Sequence, residues 1–333
     1  MELVGVGNAL MDLICFVDED FAPSLGFHNN AVVHLERGRL DAVIPRLPGF
    51  IASAGGGAAN AARAAALLGS KAAFAGSVGL DDLGSRYVRE LESCGVESLV
   101  AAGSGETGLY CALIRPDGGR TLLVAPGAAL DLELSPPPAA LFRPGALLFV
   151  DGFILRDRAY FVECLGRARA AGMEIAVDLG GKTVAAANGD FLLEFLPGHC
   201  DVLFANEDEF AAMLDLPLRE ALEFFASAGL ELVVKRAERG ALWARGDEVI
   251  DSPVRELRPV DETGAGDAFA AGFLTARDRG LPPERCLRLG NRVAEEVLGV
   301  PGLGLDPERL RRATKLVTPR ASPESGQKTE YRA

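Results

Sequence analysis

The chain has 333 residues, 49% of them hydrophobic, and carries 34 Lys and Arg against 47 Asp and Glu for a formal net charge of −13. That length suffices for a large core in one or two domains, and the acidic balance excludes a nucleic-acid partner, because no basic stretch is present to neutralise a phosphate backbone. Six scattered cysteines without a C-x-x-C pair, a start (MELVGVGNALMDLICFVDED) with neither a basic n-region nor a cleavage site, and the lack of an apolar run of bilayer length point to the reducing cytoplasm and no membrane.

The elements alternate along the chain. ELVGVG reads as a first strand, AANAARAAALLG as a helix closed by Gly69, and KAAFAGSVG as the next strand. DDLGSRYVRELESCGV is an amphipathic helix with an acidic first turn and Gly95 near its end. The strand ALLFVDG, the helix RAYFVECLGRARAAG and the strands EIAVDL, DVLFAN and ELVVKR follow, with a further helix after DVLFAN. Near-continuous apolar strands separated by helices predict a parallel sheet covered on both faces. Two stretches break the alternation. Leu13 to Phe50 holds short β-like pieces (LICFVD, NAVVHLE), and Thr107 to Pro126 alternates around PDGG, a hairpin turn signal. Together they predict a small added sheet over a cleft at the strand ends. The Pro- and Ser-rich end, PRASPESGQKTEYRA, predicts a disordered tail over residues 318–333.

Four motifs carry candidate chemistry. In VDETGAGDAF, Val260 to Phe269, the small residues Gly264, Ala265 and Gly266 stand before Asp267 and an apolar helical run. A helix start leaves N–H groups unpaired and bears partial positive charge, so small residues there admit a phosphate. Asp267 would then orient an attacking hydroxyl and take its proton; the competing reading is a simple N-cap after a glycine turn. In AGGGAAN, Gly55, Gly56 and Gly57 would let a ligand touch backbone, and Asn60 offers a donor and an acceptor to a polyol. The alternative is a loop feeding a tightly packed helix. GVGNALMD places Asp12 after the first strand, as a binder of two sugar hydroxyls or as a surface acid; Leu10 at the third glycine position leaves a dinucleotide-binding reading resting on GVG alone. In DVLFANEDEF, Asn206 and Glu209 can hold water around Mg²⁺, or serve as ordinary partners of a helix dipole. His28, His34 and His199 show no metal spacing.

Taken together, residues 2 to 317 resemble the ribokinase-like carbohydrate kinase family of the PfkB type. The resemblance rests on VDETGAGDAFAAGFL, on GGGAANAARAAALLG and on the N-x-x-E pattern at Asn206–Glu209. It implies a single three-layer α/β/α domain over residues 1–317 with a mostly parallel central sheet, and a small β-sheet lid from segments near 13–50 and 105–127. It implies ATP and Mg²⁺ as cofactors and Asp267 as catalytic base, with the backbone of Gly264, Ala265, Gly266 and Asp267 as the anion hole. Asp12, Gly56 and Asn60 resemble the positions that hold sugar hydroxyls. Asn206 and Glu209 resemble those that organise Mg²⁺ through water and the ATP phosphates. Lys235 to Gly240 corresponds to the turn near the nucleotide. Ala237 stands where a glycine is usual, and Glu262 where a small or hydroxylated residue is usual, beside the Asp261 position of a monovalent cation site.

GVGNALMD, VDGFIL and DVLFANEDE look closest to the adenosine-kinase-like branch, in which an aromatic at Phe153 stacks on a nucleobase; alternatively Phe153 fills the cleft floor. A primary hydroxyl of a sugar or ribonucleoside is therefore the expected acceptor, with a free-sugar kinase acting on a furanose such as ribose or a hexose such as fructose as the alternative. A phosphorylated sugar would need clustered basic residues from among Arg37, Arg39, Arg115 and Arg120. The lid edge also suggests pairing with a second copy. A non-catalytic binding protein on the same scaffold is the rival from another class.

Overall fold

A computed structural model describes residues 2–317, apart from 135, 215–217, 256, 258, 301 and 303. The tail expected at 318–333 lies outside the described residues.

The large sheet has nine strands, in the order Glu248–Ser252, Ala241–Arg245, Glu231–Lys235, Val202–Asn206, Glu174–Asp178, Leu147–Asp151, Glu2–Val6, Lys71–Ala75 and Val96–Ser98. The strands from Glu231–Lys235 through Val96–Ser98 are all parallel. The first two pair antiparallel and close one edge; the sequence reading omitted them, although Gly246 and Asp247 mark their turn. KAAFAGSVG is broken at Gly76, and Ser77–Val78 leaves the large sheet to pair with Ala101–Ala102.

Alternation along each strand feeds two cores. Leu3, Phe74, Phe149, Phe204 and Val233 point to one face, against Ala58, Ala62, Phe269, Phe273 and Leu287 of the helices Gly57–Leu67, Ala265–Asp278 and Pro283–Leu298. Val4, Val150, Val177 and Leu203 point to the other, against Phe161, Leu165, Leu192 and Phe210. Phe204 meets Phe149 at 6.2 Å and Phe273 at 5.6 Å between ring centres. Burying each such ring contributes roughly 1.5–3 kcal/mol. No described helix is long and apolar enough to cross a membrane.

The small sheet has five strands in the order Val32–His34, Arg120–Ala125, Gly108–Ile114, Leu10–Phe16 and Ile51–Gly55. The hairpin around PDGG forms as expected, with Leu122 opposite Ala112. Leu10–Phe16 begins a few residues after Glu2–Val6, and Ile51–Gly55 runs straight into the helix at Gly57. The small sheet is thus rooted where the parallel strands end. At its Ile51–Gly55 edge, backbone groups are taken by side chains: Ala52 O by Arg86, Ala54 N by Glu90 at 2.6 Å, Ala54 O by Arg63 and Gly55 O by Tyr87 at 2.8 Å. That edge is closed to strand pairing with another chain, which restricts an edge-to-edge contact to Val32–His34.

Candidate functional site

From Glu2–Val6 the chain proceeds outward to Lys71–Ala75 on one side and returns to Leu147–Asp151 on the other. Such a reversal opens a crevice at the carboxyl ends of the strands. Three acids and one lysine collect there. Asp151 and Asp178 end neighbouring strands and are partners in register. Lys235 ends its own strand opposite Asn206, and Asp267 lies in the first turn of Ala265–Asp278.

Three successive glycines accommodate these groups. A Cβ at Gly55 would lie 2.2 Å from the Asp12 carboxyl, and one at Gly57 would lie 2.8 Å from Asp151 and 3.3 Å from Asp267. At Gly56, φ is +98° and a Cβ would fall 2.0 Å from the Asn8 carbonyl oxygen. Gly55 and Gly57 thus make room for the protein's own carboxylates, and Gly56 for the Asn8 backbone carbonyl. Asp151 accepts from Phe153 N at 3.0 Å and faces the N-terminus of the helix at Gly57 and Ala58, whose N–H groups favour its ionised form.

Asp267 meets Asn60 directly, the amide nitrogen donating to Oδ2 at 3.0 Å. Burial pushes the Asp267 carboxyl up to about 7; the Asn60 bond opposes this, Asp178 and Asp151 add to it, and Lys235 opposes it. Asn60 is 3% exposed, and its carbonyl oxygen is buried without a partner among the described residues. Such an acceptor calls for a donor that the protein does not supply. Asp12, on the small sheet, is 4% exposed and is pushed up to about 8, chiefly by burial, with Arg63 opposing. Burial likewise raises Asp151 to about 6.

The helix mouth beside Asp267 is open at the backbone. Gly264 is its N-cap at φ 74°, and the first helical bond runs from Ala268 N to Gly264 O at 2.9 Å. Ala265 N turns back to Glu262 O at 3.2 Å, and the N–H groups of Gly266 and Asp267 stand ahead of the ladder. Glu262 itself reaches the small sheet, taking a 2.7 Å ion pair from Arg120.

On the nucleotide side of the reading, Asn206 and Glu209 bond each other reciprocally. Asn206 N donates to Glu209 Oε2 at 2.7 Å, and Glu209 N to Asn206 Oδ1 at 2.8 Å. This capping box starts the helix Glu207–Leu214. Burial raises the Glu209 carboxyl, with Lys235 opposing. Lys235 Nζ sits 2.6 Å from Asp178 Oδ2. Ala237 has φ 49°, which explains why a glycine is the usual residue there, and Gly240 is confined by Ser252 O, 2.2 Å from any added Cβ. Asp261 is clamped by Thr263 and by Gly302 N at 2.8 Å. Phe153 lies at the crevice rim, 45% exposed, with its ring beside Gly180 and Gly181. Asp151, Asp178 and Arg63 were missed from sequence; two acids each ending a buried apolar strand were the available signal.

The pfkB family carbohydrate kinase model matches residues 3–309. The chain belongs to that family. The kinase is 30% identical over 284 residues to the 1-phosphofructokinase of Haloferax volcanii, covering 81% of this chain and 88% of that one. It is 27% identical over 300 residues to the nucleoside kinase of Methanothermobacter thermautotrophicus, with 89% of each chain covered. The crystal structure of adenosine kinase from Sinorhizobium meliloti superposes with a TM-score of 0.86 at 28% identity, over 95% of this chain and 99% of that one. The chain is therefore a phosphotransferase of the sugar and nucleoside kinase type with the ribokinase-like fold.

Proposed function

We propose that the kinase transfers the γ-phosphoryl group of ATP to a primary hydroxyl of an unphosphorylated ribonucleoside. The acceptor O–H loses its proton to Asp267 as the new O–P bond forms, and the bond from the γ-phosphorus to ADP breaks. The backbone of Gly264 to Asp267 receives charge on the phosphoryl oxygens. Asp12 and Asn60 hold the acceptor's hydroxyls. The observation that carries this reading is the buried, unpartnered Asn60 carbonyl oxygen on the side chain that bonds Asp267: a free acceptor beside that carboxylate supports hydroxyl binding next to the base.

The basic side chains of the small sheet and its loops support an unphosphorylated acceptor. Arg37 bonds Asp41 and Thr107 O, Arg39 lies over the Phe27 ring, Arg115 bonds Asp117 and Asn30, and Arg120 bonds Glu262. The exposed Phe153 ring favours a nucleobase over a bare sugar. Among the described residues no group of three or more His, Cys, Asp and Glu is arranged to hold a metal. That donor set fits Mg²⁺ carried on the ATP phosphates, with Glu209 and Asn206 reaching it through water; when bound, it would neutralise phosphate charge.

The test is Mg²⁺-dependent ADP release with adenosine, inosine, guanosine, cytidine, ribose, fructose and fructose 6-phosphate side by side. A nucleoside should give the highest kcat/KM, and Phe153→Ala should raise its KM at least tenfold. Turnover confined to free sugars would keep the chemistry and discard the stacking role.

A further inference from the structure

Lys235 takes an unusual position for a half-buried cation. Its ammonium is bonded to Asp178 at 2.6 Å. The same side chain lies along the helix mouth, where a Cβ at Gly266 would stand 3.3 Å from Nζ and 3.6 Å from Cδ. A helix N-terminus is the positive pole of the helix. A cation drawn against it is repelled unless an anion occupies the space that both face. Asp178 balances the lysine from one flank, and the ammonium lies beside Gly266 in the first turn of the helix.

The surrounding charges give the lysine a purpose. Asp151, Asp178, Glu209 and Asp267 are gathered around the same crevice end. Four carboxylates would repel a polyphosphate, and Lys235 is a cation that faces Asp178, Glu209 and Asp267 together. A lysine serving only as a tie between strands would have no need to run along the glycine turn.

We propose that Lys235 bonds a nonbridging oxygen of the phosphoryl group during transfer, and that Asp178 is the positioning residue that holds its ammonium at the helix mouth. The inference rests on the assignment of Gly264 to Asp267 as the phosphoryl site. Lys235 keeps its proton throughout; the bonds that form and break are the acceptor O–P and ADP O–P bonds, and the acceptor proton goes to Asp267. Removing one such preorganised donor lowers kcat on the order of 10²–10³-fold.

The test is a calorimetric titration of the full-length chain with Mg²⁺·ADP, with and without aluminium fluoride as the phosphoryl stand-in. Wild type should bind ADP at least tenfold more tightly with the fluoride. In Lys235→Met the fluoride enhancement, read as the ratio of the two affinities, should vanish whatever the change in affinity for ADP alone. Lys235→Arg should keep part of it, and Asp178→Asn should reduce it several-fold without weakening ADP alone. Circular dichroism confirms folding, and Lys235→Gln replaces the methionine variant if that does not fold. Full enhancement in a folded Met or Gln variant overturns the role of Lys235. No enhancement in wild type overturns the phosphoryl-site assignment itself, and the inference with it.

Discussion

Asn60 and Asp267 are 207 residues apart in the chain, and the amide of one donates to the carboxylate of the other at 3.0 Å. The bond ties the helix after the triple glycine to the helix of the signature motif. Ser70 and Thr275 meet at 3.4 Å and Arg279 reaches Leu68 O at 2.8 Å near the far ends of the same two helices. The two motifs therefore act as one rigid unit, with an acid at its open end.

That geometry sets a pH dependence. A base must be ionised to accept a proton, and burial lifts Asp267 to about 7 while Asn60 holds it down. kcat/KM should rise tenfold per unit below about pH 7 and level off above it. In Asn60→Ala the limb should move to higher pH, and acceptor KM should rise. An unmoved limb in a pH-rate profile would show that Asn60 does not bear on the base.

Asp12 links the site to stability. Its folded carboxyl is raised to about 8 from an ordinary 3.8, mainly by burial, so the folded state holds a proton that the unfolded state releases. The contribution is fully present below the unfolded value and is lost as pH rises through about 8. Asp12→Asn should accordingly raise Tm at pH 8 and change it little at pH 4, while acceptor binding falls. Thermal melts at the two pH values check this; equal shifts would contradict it.

Ala237 is exposed and carries φ 49°, where an L-residue costs about 1–2 kcal/mol relative to its ordinary conformation. Part of that is offset by the greater unfolded freedom of glycine. Ala237→Gly should stabilise the kinase by up to about 1 kcal/mol in denaturant titrations. Destabilisation would mean that the turn is not strained.

Arg120 and Glu262 connect the small sheet to the residue two before the helix N-cap. Both are partly exposed, and pairs of that kind add little to overall stability. Glu262→Arg should leave Tm nearly unchanged and raise acceptor KM a few-fold; adding Arg120→Glu should restore KM. A double variant no better than the single would show that the pair does not hold the sheet over the crevice.

Much of the fold was legible because buried parallel strands announce themselves as unbroken apolar runs, as in ALLFVD and DVLFAN. Of the edge strands, Glu248–Ser252 went unread because it is polar and largely exposed, and Ala241–Arg245, although buried, because it is a run of only five residues bounded by Gly240 and Gly246. The signature helix and its acid were visible for a local reason: small residues, an acid and an apolar run stand within ten positions. The purpose of Gly55 and Gly57 was not, since the groups that fill their space come from residues 12, 151 and 267. Asn206 and Glu209 form a capping box, and sequence alone does not separate that role from a metal's waters because both use the same spacing. Lys235 could be placed near the nucleotide, while its approach to Gly266 required the packed structure.

The most direct test of the account compares wild type and Asp267→Asn for ADP release with the best acceptor, together with ATP affinity by calorimetry. The account predicts a loss of turnover of at least about 10³-fold, a general base contributing roughly 10²–10⁴-fold, with ATP affinity within a few-fold of wild type. Near-normal turnover in the variant would remove Asp267 from the chemistry and contradict the central claim.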